Sequence, residues 1–161
     1  MKRGFPTLAL WLVPLALLMA GCAAGPTRAP DGPIQRAEPT MGERITASAL
    51  GQLGRPYRYG GNGPDAFDCS GLVRFVHAAH GVAVPRTTIA QLEAAEPVSV
   101  AAIAPGDLLF FRFEGPKISH VAIYAGDGRF VHAPQTGRSV ELGTLDAWYR
   151  QRLVGAGRLY E

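Results

Sequence analysis

A change of texture near Pro105 constrains the fold of this chain more than any other feature. Before it, Leu72, Phe75, Val76 and Ala79 recur at helical spacing in a segment that begins near Asp68 and meets a stop at Gly81. A first helix is expected from about Glu43 to Leu53, where Gly54-Arg55-Pro56 breaks it, and a third from Thr88 to about Ala95. Between the first two, Tyr57 to Pro64 read as a Gly-rich loop. Beyond Pro105 the runs are short and β-rich: Leu108 to Phe113, His120 to Ala125 and Arg129 to Ala133. Leu153 to Tyr160 adds a last strand, after a short helix around Leu145 to Arg150. Helices first and strands later mean an α+β fold with an antiparallel sheet.

At 161 residues and 47% hydrophobic content, the chain has material for one compact core. Its 20 Gly and 13 Pro follow no period, so collagen-like and wholly disordered classes fail. The N-terminus reads as an address. Lys2 and Arg3 precede an almost purely apolar stretch from Leu8 to Ala20, too short for a span of about 20 residues and interrupted by Pro14. A cleaved signal over residues 1–21 follows. Removing Lys2 and Arg3 lowers the 16 basic residues to 14 against 13 acidic ones, a charge of +1. That balance leaves no electrostatic case for nucleic-acid binding.

Leu18-Met19-Ala20-Gly21-Cys22 resembles a bacterial lipoprotein box, which implies lipidation of Cys22 and a membrane contact through that lipid. Ala23 after the cysteine implies delivery to the outer membrane, facing the periplasm. Residues 22–42, with Pro26, Pro30, Pro33 and Pro39, then form an extended tether, and the folded domain covers 43–161. A lipidated Cys22 cannot form a disulfide with Cys69, which leaves Cys69 as a lone thiol in an exported protein. It is either a small buried apolar residue or a thiol kept for chemistry.

Asp68 suits an N-cap, so Cys69 falls in the first turn of the second helix, where free amides and the helix dipole favour ionisation. His120 and His132 lie symmetrically about Gly126 in the Gly126-Asp127-Gly128 turn, so a hairpin brings them to one face, opposite or diagonal. A base oriented by a second polar residue beside a thiol is the generalised triad. A metal site is the competing chemistry, since Cys69, His77, His80, His120 and His132 include zinc-ligand types. His77 and His80, however, lie two or three turns from Cys69, about 12 to 16 Å along the helix, too far to share its ion. His77 is read as a surface residue and His80 as a charge near a helix C-terminus.

Arg55-Pro56-Tyr57-Arg58-Tyr59-Gly60-Gly61, Asp68-Cys69-Ser70-Gly71-Leu72-Val73, Pro85-Arg86-Thr87 with Gln91, Pro105-Gly106-Asp107-Leu108-Leu109-Phe110-Phe111, Ser119-His120-Val121-Ala122-Ile123-Tyr124 and His132-Ala133 together resemble the NlpC-type cell-wall cysteine endopeptidases. The resemblance covers about Glu43 to the C-terminus, and within that family a lipidated single-domain chain looks most like the Spr-type murein endopeptidases. It implies a papain-like domain, N-terminal helices on an antiparallel sheet, that cleaves peptide bonds in peptidoglycan stem peptides. It implies Cys69 as nucleophile, His120 as base and His132 as third polar residue. Tyr57, Asp68 and Ser70 would contact substrate, with no metal and no cofactor.

The other motif residues have plainer readings. Gly60 and Gly61 serve backbone conformation, Asp107 a turn or strand entry, Arg86 and Gln91 the stability of their loop, and Trp148 and Tyr149 packing. The crosslink from D-alanine to diaminopimelate is preferred over the γ-D-glutamyl to diaminopimelate bond, acting as a monomer. The competing readings are a non-catalytic peptidoglycan-binding lipoprotein of the same fold and a thiol-dependent amidase or acyltransferase.

Overall fold

The computed structural model describes Met1 and residues 37–161, Glu114 apart, and one compact unit runs over Ala37–Glu161. The expected signal peptide, Cys22 and most of the tether lie outside the described residues.

Helix α1 spans Met41–Leu50 and starts earlier than apolar spacing suggests because Thr40 and Glu43 form a capping box. Glu43 Oε2 accepts from the Thr40 N–H at 2.7 Å while Thr40 Oγ1 accepts from the Glu43 N–H at 3.2 Å. Helix α2, Cys69–Ala78, is capped by Asp68, and Gly81 follows with φ at 78°. Helix α3 covers Thr88–Ala94 with Thr87 as its cap.

Six strands follow: β1 Glu96–Val98, β2 Leu108–Phe111, β3 His120–Gly126, β4 Arg129–His132, β5 Glu141–Thr144 and β6 Leu153–Arg158. They form one sheet in the order β1-β6-β2-β3-β4-β5, every neighbour antiparallel. The short helix α4, Ala147–Arg150, precedes β6. Edge strands β1 and β5 carry no apolar alternation to reveal them; β1 contains Pro97, tolerated only at an edge or a strand end, and β5 contains Gly143.

Strand β2 is buried on both faces, which explains its unbroken apolar run. Leu108 and Phe110 join Val121, Ile123 and Val131 under the helices, packed against Ile45, Leu72, Val73 and Val76. Leu109 and Phe111 face the other way, with Ala122, Phe130 and Leu145. Asp107, fully buried at the entry to β2, accepts from Arg158 Nε at 2.6 Å, Arg158 Nη2 at 2.9 Å and the Ala104 N–H at 2.8 Å. It thus ties the last strand to the loop before the second.

His77 is not the surface residue expected. It is fully buried on the core side of α2, with Nδ1 2.8 Å from the Val73 carbonyl and Nε2 without a partner among the described residues. The helical spacing that marks Val73 and Val76 also brings position 77 inward, and a neutral imidazole fits there. His80 reaches Ser48 on α1 at 2.8 Å.

Burial pushes the His77 imidazole down from 6.5 to about 4, so the unfolded chain takes up a proton that the native state refuses. This contribution is complete above pH 6.5 and is lost as pH falls from there toward 4, a loss of a few kcal/mol. His77→Leu should abolish this share. Urea unfolding at pH 7.5 and 4.5 is expected to show a smaller acid loss in the variant by that amount, and identical losses would contradict the assignment.

Candidate active site

The nucleophile position is built by Asp68. Its Oδ1 accepts from the Gly71 N–H at 2.7 Å and its Oδ2 from the Gly60 N–H at 3.0 Å, joining the start of α2 to the Gly-rich loop. Arg86 closes the same carboxylate bidentately at 3.0 and 2.6 Å and also donates to Ser70 Oγ at 3.0 Å. Gly71 is required by close approach, because a Cβ there would strike the Gly61 carbonyl oxygen. Gln91, fully buried on α3, donates to the Ser70 carbonyl at 2.9 Å and the Pro85 carbonyl at 2.8 Å. Four segments therefore converge on one helix start.

Cys69 Sγ lies 3.7 Å from Thr88 Oγ1, and the Val121 and Ser70 amides favour its ionised form. Burial outweighs them and pushes the thiol up, with Asp68 adding repulsion. The expected easy ionisation at a helix start is thus corrected: the resting thiol is neutral. Val121 is the residue after His120, so packing of α2 on β3 brings the thiol to the strand start that carries the imidazole.

The β3–β4 hairpin turns at Asp127 and Gly128, whose φ values of 52° and 69° suit a type I′ turn. Pairing of Ile123 with Val131 and of Tyr124 with Phe130 sets His120 diagonal to His132 on one face. His120 Nε2 meets His132 Nδ1 at 2.9 Å, with the rings nearly perpendicular at 82°. Both are almost completely buried, among Phe111, Phe113, Phe130 and Tyr149. Desolvation pushes His120 down to about 3, with His132 adding repulsion, and pushes His132 down as well, opposed by Glu141. Both imidazoles are neutral at pH 7.

Two cavities flank this row and share Ser119. One, about 500 Å³, is lined by Tyr57, Asp68, Cys69, Ser70 and Thr88; the other, about 450 Å³, by Phe113, His120, His132, Arg138, Trp148 and Tyr149. Of the three residues expected to meet substrate, Tyr57 stands half-buried on the first wall. Asp68 and Ser70 also line it, but their polar atoms engage the protein's own donors and each other. Trp148 is half-exposed and stacks on Phe113 at 5.4 Å.

Sequence reasoning missed Glu141. Paired directly with His132 across β4 and β5, it places Oε1 3.3 Å from His132 Nε2. The mirror argument that joins the two histidines also finds it, applied to the next turn around Thr136 and Gly137, where Gly137 has φ at 86°.

The chain matches the family model described as NlpC/P60 family over residues 54–158. It is 42% identical over 115 residues to the probable endopeptidase p60 of Listeria monocytogenes, covering 71% of this chain and 23% of that protein. Against the murein DD-endopeptidase MepH of Escherichia coli it is 40% identical over 114 residues, 67% of this chain and 42% of that one. An NlpC/P60 family protein from Bacillus cereus superposes with a TM-score of 0.72 at 31% identity, over 77% of this chain and 42% of that one. The chain spans less than half the length of these relatives. With the matched model covering well over half of its residues, the chain belongs to the NlpC/P60 family.

Proposed function

We propose that this domain is a cysteine peptidase that hydrolyses peptide bonds in peptidoglycan stem peptides. The observation that carries the reading is the buried hydrogen bond between His120 Nε2 and His132 Nδ1, beside a helix start that presents Cys69. With Nε2 turned to His132, Nδ1 of His120 is the nitrogen left to take a proton. Neutral partners make the first step a general-base reaction. The thiol proton passes to His120 Nδ1 as Sγ bonds to the scissile carbonyl carbon. The amine leaves with that proton when the C–N bond breaks, giving a thioester. Water then attacks the thioester carbon, its proton passes to His120, and the thiol is restored as the C–S bond breaks.

This order of events orients the substrate. His120 protonates the leaving amine, so the amine half lies in the cavity walled by Phe113, Trp148 and Arg138. In this reading the acyl half lies in the Cys69 cavity, and Tyr57, which lines that cavity, together with the amides of the α2 start meets the oxyanion. Donors aimed at that oxygen act most strongly where water is excluded.

The crosslink between D-alanine and diaminopimelate is the bond favoured in this reading. Support comes from one cavity beside the thiol and a second beside the histidine pair, and from the name of the Escherichia coli relative, a murein DD-endopeptidase. The reading also includes lipidation of Cys22, which anchors the domain at the outer membrane facing the periplasm, and action as a monomer. Mass spectrometry of the mature N-terminus and of a Cys22→Ala variant checks the anchor.

Purified protein should convert crosslinked muropeptide dimers to monomers, and Cys69→Ser should not, while keeping its fold. His120→Asn removes the proton acceptor and is expected to cost on the order of 10²- to 10⁴-fold in kcat. His132→Asn, which can still accept a hydrogen bond, should retain measurable turnover. Unchanged cleavage by Cys69→Ser would overturn the mechanism, and release of L-alanyl-γ-D-glutamate from monomers with dimers intact would overturn the choice of bond.

A further inference from the structure

We propose that Glu141 is a positioning residue that selects the productive tautomer of the His132–His120 pair. The proposal rests on the reading of His120 as the base. Glu141 and His132 are direct partners in the β4–β5 register; His132, 2% exposed, has a buried Nε2 that makes no hydrogen bond among the described residues, and the nearest carboxylate oxygen, Glu141 Oε1, lies 3.3 Å from it. The second oxygen, Oε2, accepts from Arg138 Nη2 at 2.7 Å. Arg138 thereby holds the carboxylate with one oxygen facing outward and the other facing the imidazole.

Two hydrogen patterns fit a bond between His120 Nε2 and His132 Nδ1. In one, His132 carries its proton on Nε2, accepts at Nδ1 from the His120 Nε2–H, and leaves a lone pair on His120 Nδ1. In the other, His132 Nδ1–H donates to His120 Nε2, which places the His120 proton on Nδ1 and leaves no base toward the thiol. A carboxylate only accepts hydrogen bonds. Facing Nε2, Glu141 favours the first pattern and sets its charge against a lone pair in the second. When His120 gains a proton during attack, the same carboxylate opposes that new positive charge through His132.

The decisive variant is Glu141→Gln. Arg138 retains its demand for an oxygen acceptor, so the amide turns its oxygen to Arg138 and its NH₂ to His132 Nε2. A donor there imposes the unproductive pattern. Glu141→Gln should therefore lose as much kcat as Glu141→Ala, on the order of 10- to 100-fold, the range found for outer residues that orient a ligating imidazole, with KM unchanged. A merely structural role would let the near-isosteric Gln retain full turnover.

Two-bond ¹H–¹⁵N correlation spectra of ¹⁵N-histidine protein at pH 7 read the pattern without substrate. They remain decisive even if the variants fold poorly or the peptidase reading fails. The expected wild-type result is His132 protonated on Nε2 and His120 protonated on Nε2, with both protons moved to Nδ1 in Glu141→Gln. An Nδ1–H signal for His132 in the wild type, or a Glu141→Gln enzyme with wild-type kcat on muropeptide dimers, would overturn the proposal.

Discussion

Desolvation of three titratable side chains in one place is the constraint on which this site depends. Cys69 at the start of α2, His120 at the start of β3 and His132 at the end of β4 meet here, and removal from water favours the neutral form of each. A thiolate–imidazolium ion pair would place two charges in that environment before substrate arrives. Burial instead favours a neutral thiol and a neutral base at rest, with charge separating when a carbonyl is there to receive the electron pair. In that account the amides near Sγ matter most during the reaction, when negative charge moves from sulfur to the carbonyl oxygen.

Such a site tolerates little displacement, and the surrounding polar contacts supply the rigidity. The Asp68 carboxylate holds a helix amide, a loop amide and the Arg86 guanidinium at once, so the Cys69 backbone is fixed from three directions. Burying that charge is tolerable because it is paired and hydrogen-bonded. On the sheet side the imidazoles are held by ring packing and by the hairpin register, with Phe130 5.0 Å from His132 and Tyr149 4.8 Å from Phe130. Loss of one Asp68 contact would therefore be felt at the thiol, although no atom of Asp68 takes part in the chemistry.

Much of this was legible in the sequence because the signals were local. Periodicity exposed α2, the turn at Asp127 and Gly128 exposed the histidine pair, and Asp68 was visible as a cap. Edge strands β1 and β5 were not, since three or four residues with a proline or glycine carry no alternation. Missing β5 meant missing Glu141, although the Gly137 turn offered the same mirror symmetry as the histidine hairpin. Polarity alone points His77 outward, whereas its position on α2 lies beside Val73 and Val76. The ionisation of Cys69 was misjudged for a related reason: a helix N-terminus can be seen in sequence, but the burial that outweighs it arises from β3 and α3, distant along the chain.

The neutral resting thiol is tested most directly by its rate of alkylation with iodoacetamide as a function of pH, followed by mass spectrometry at Cys69. The account predicts a single rise with its midpoint above that of a free cysteine measured alongside. A rate already at its plateau by pH 6, the sign of a thiolate held by an imidazolium, would contradict it.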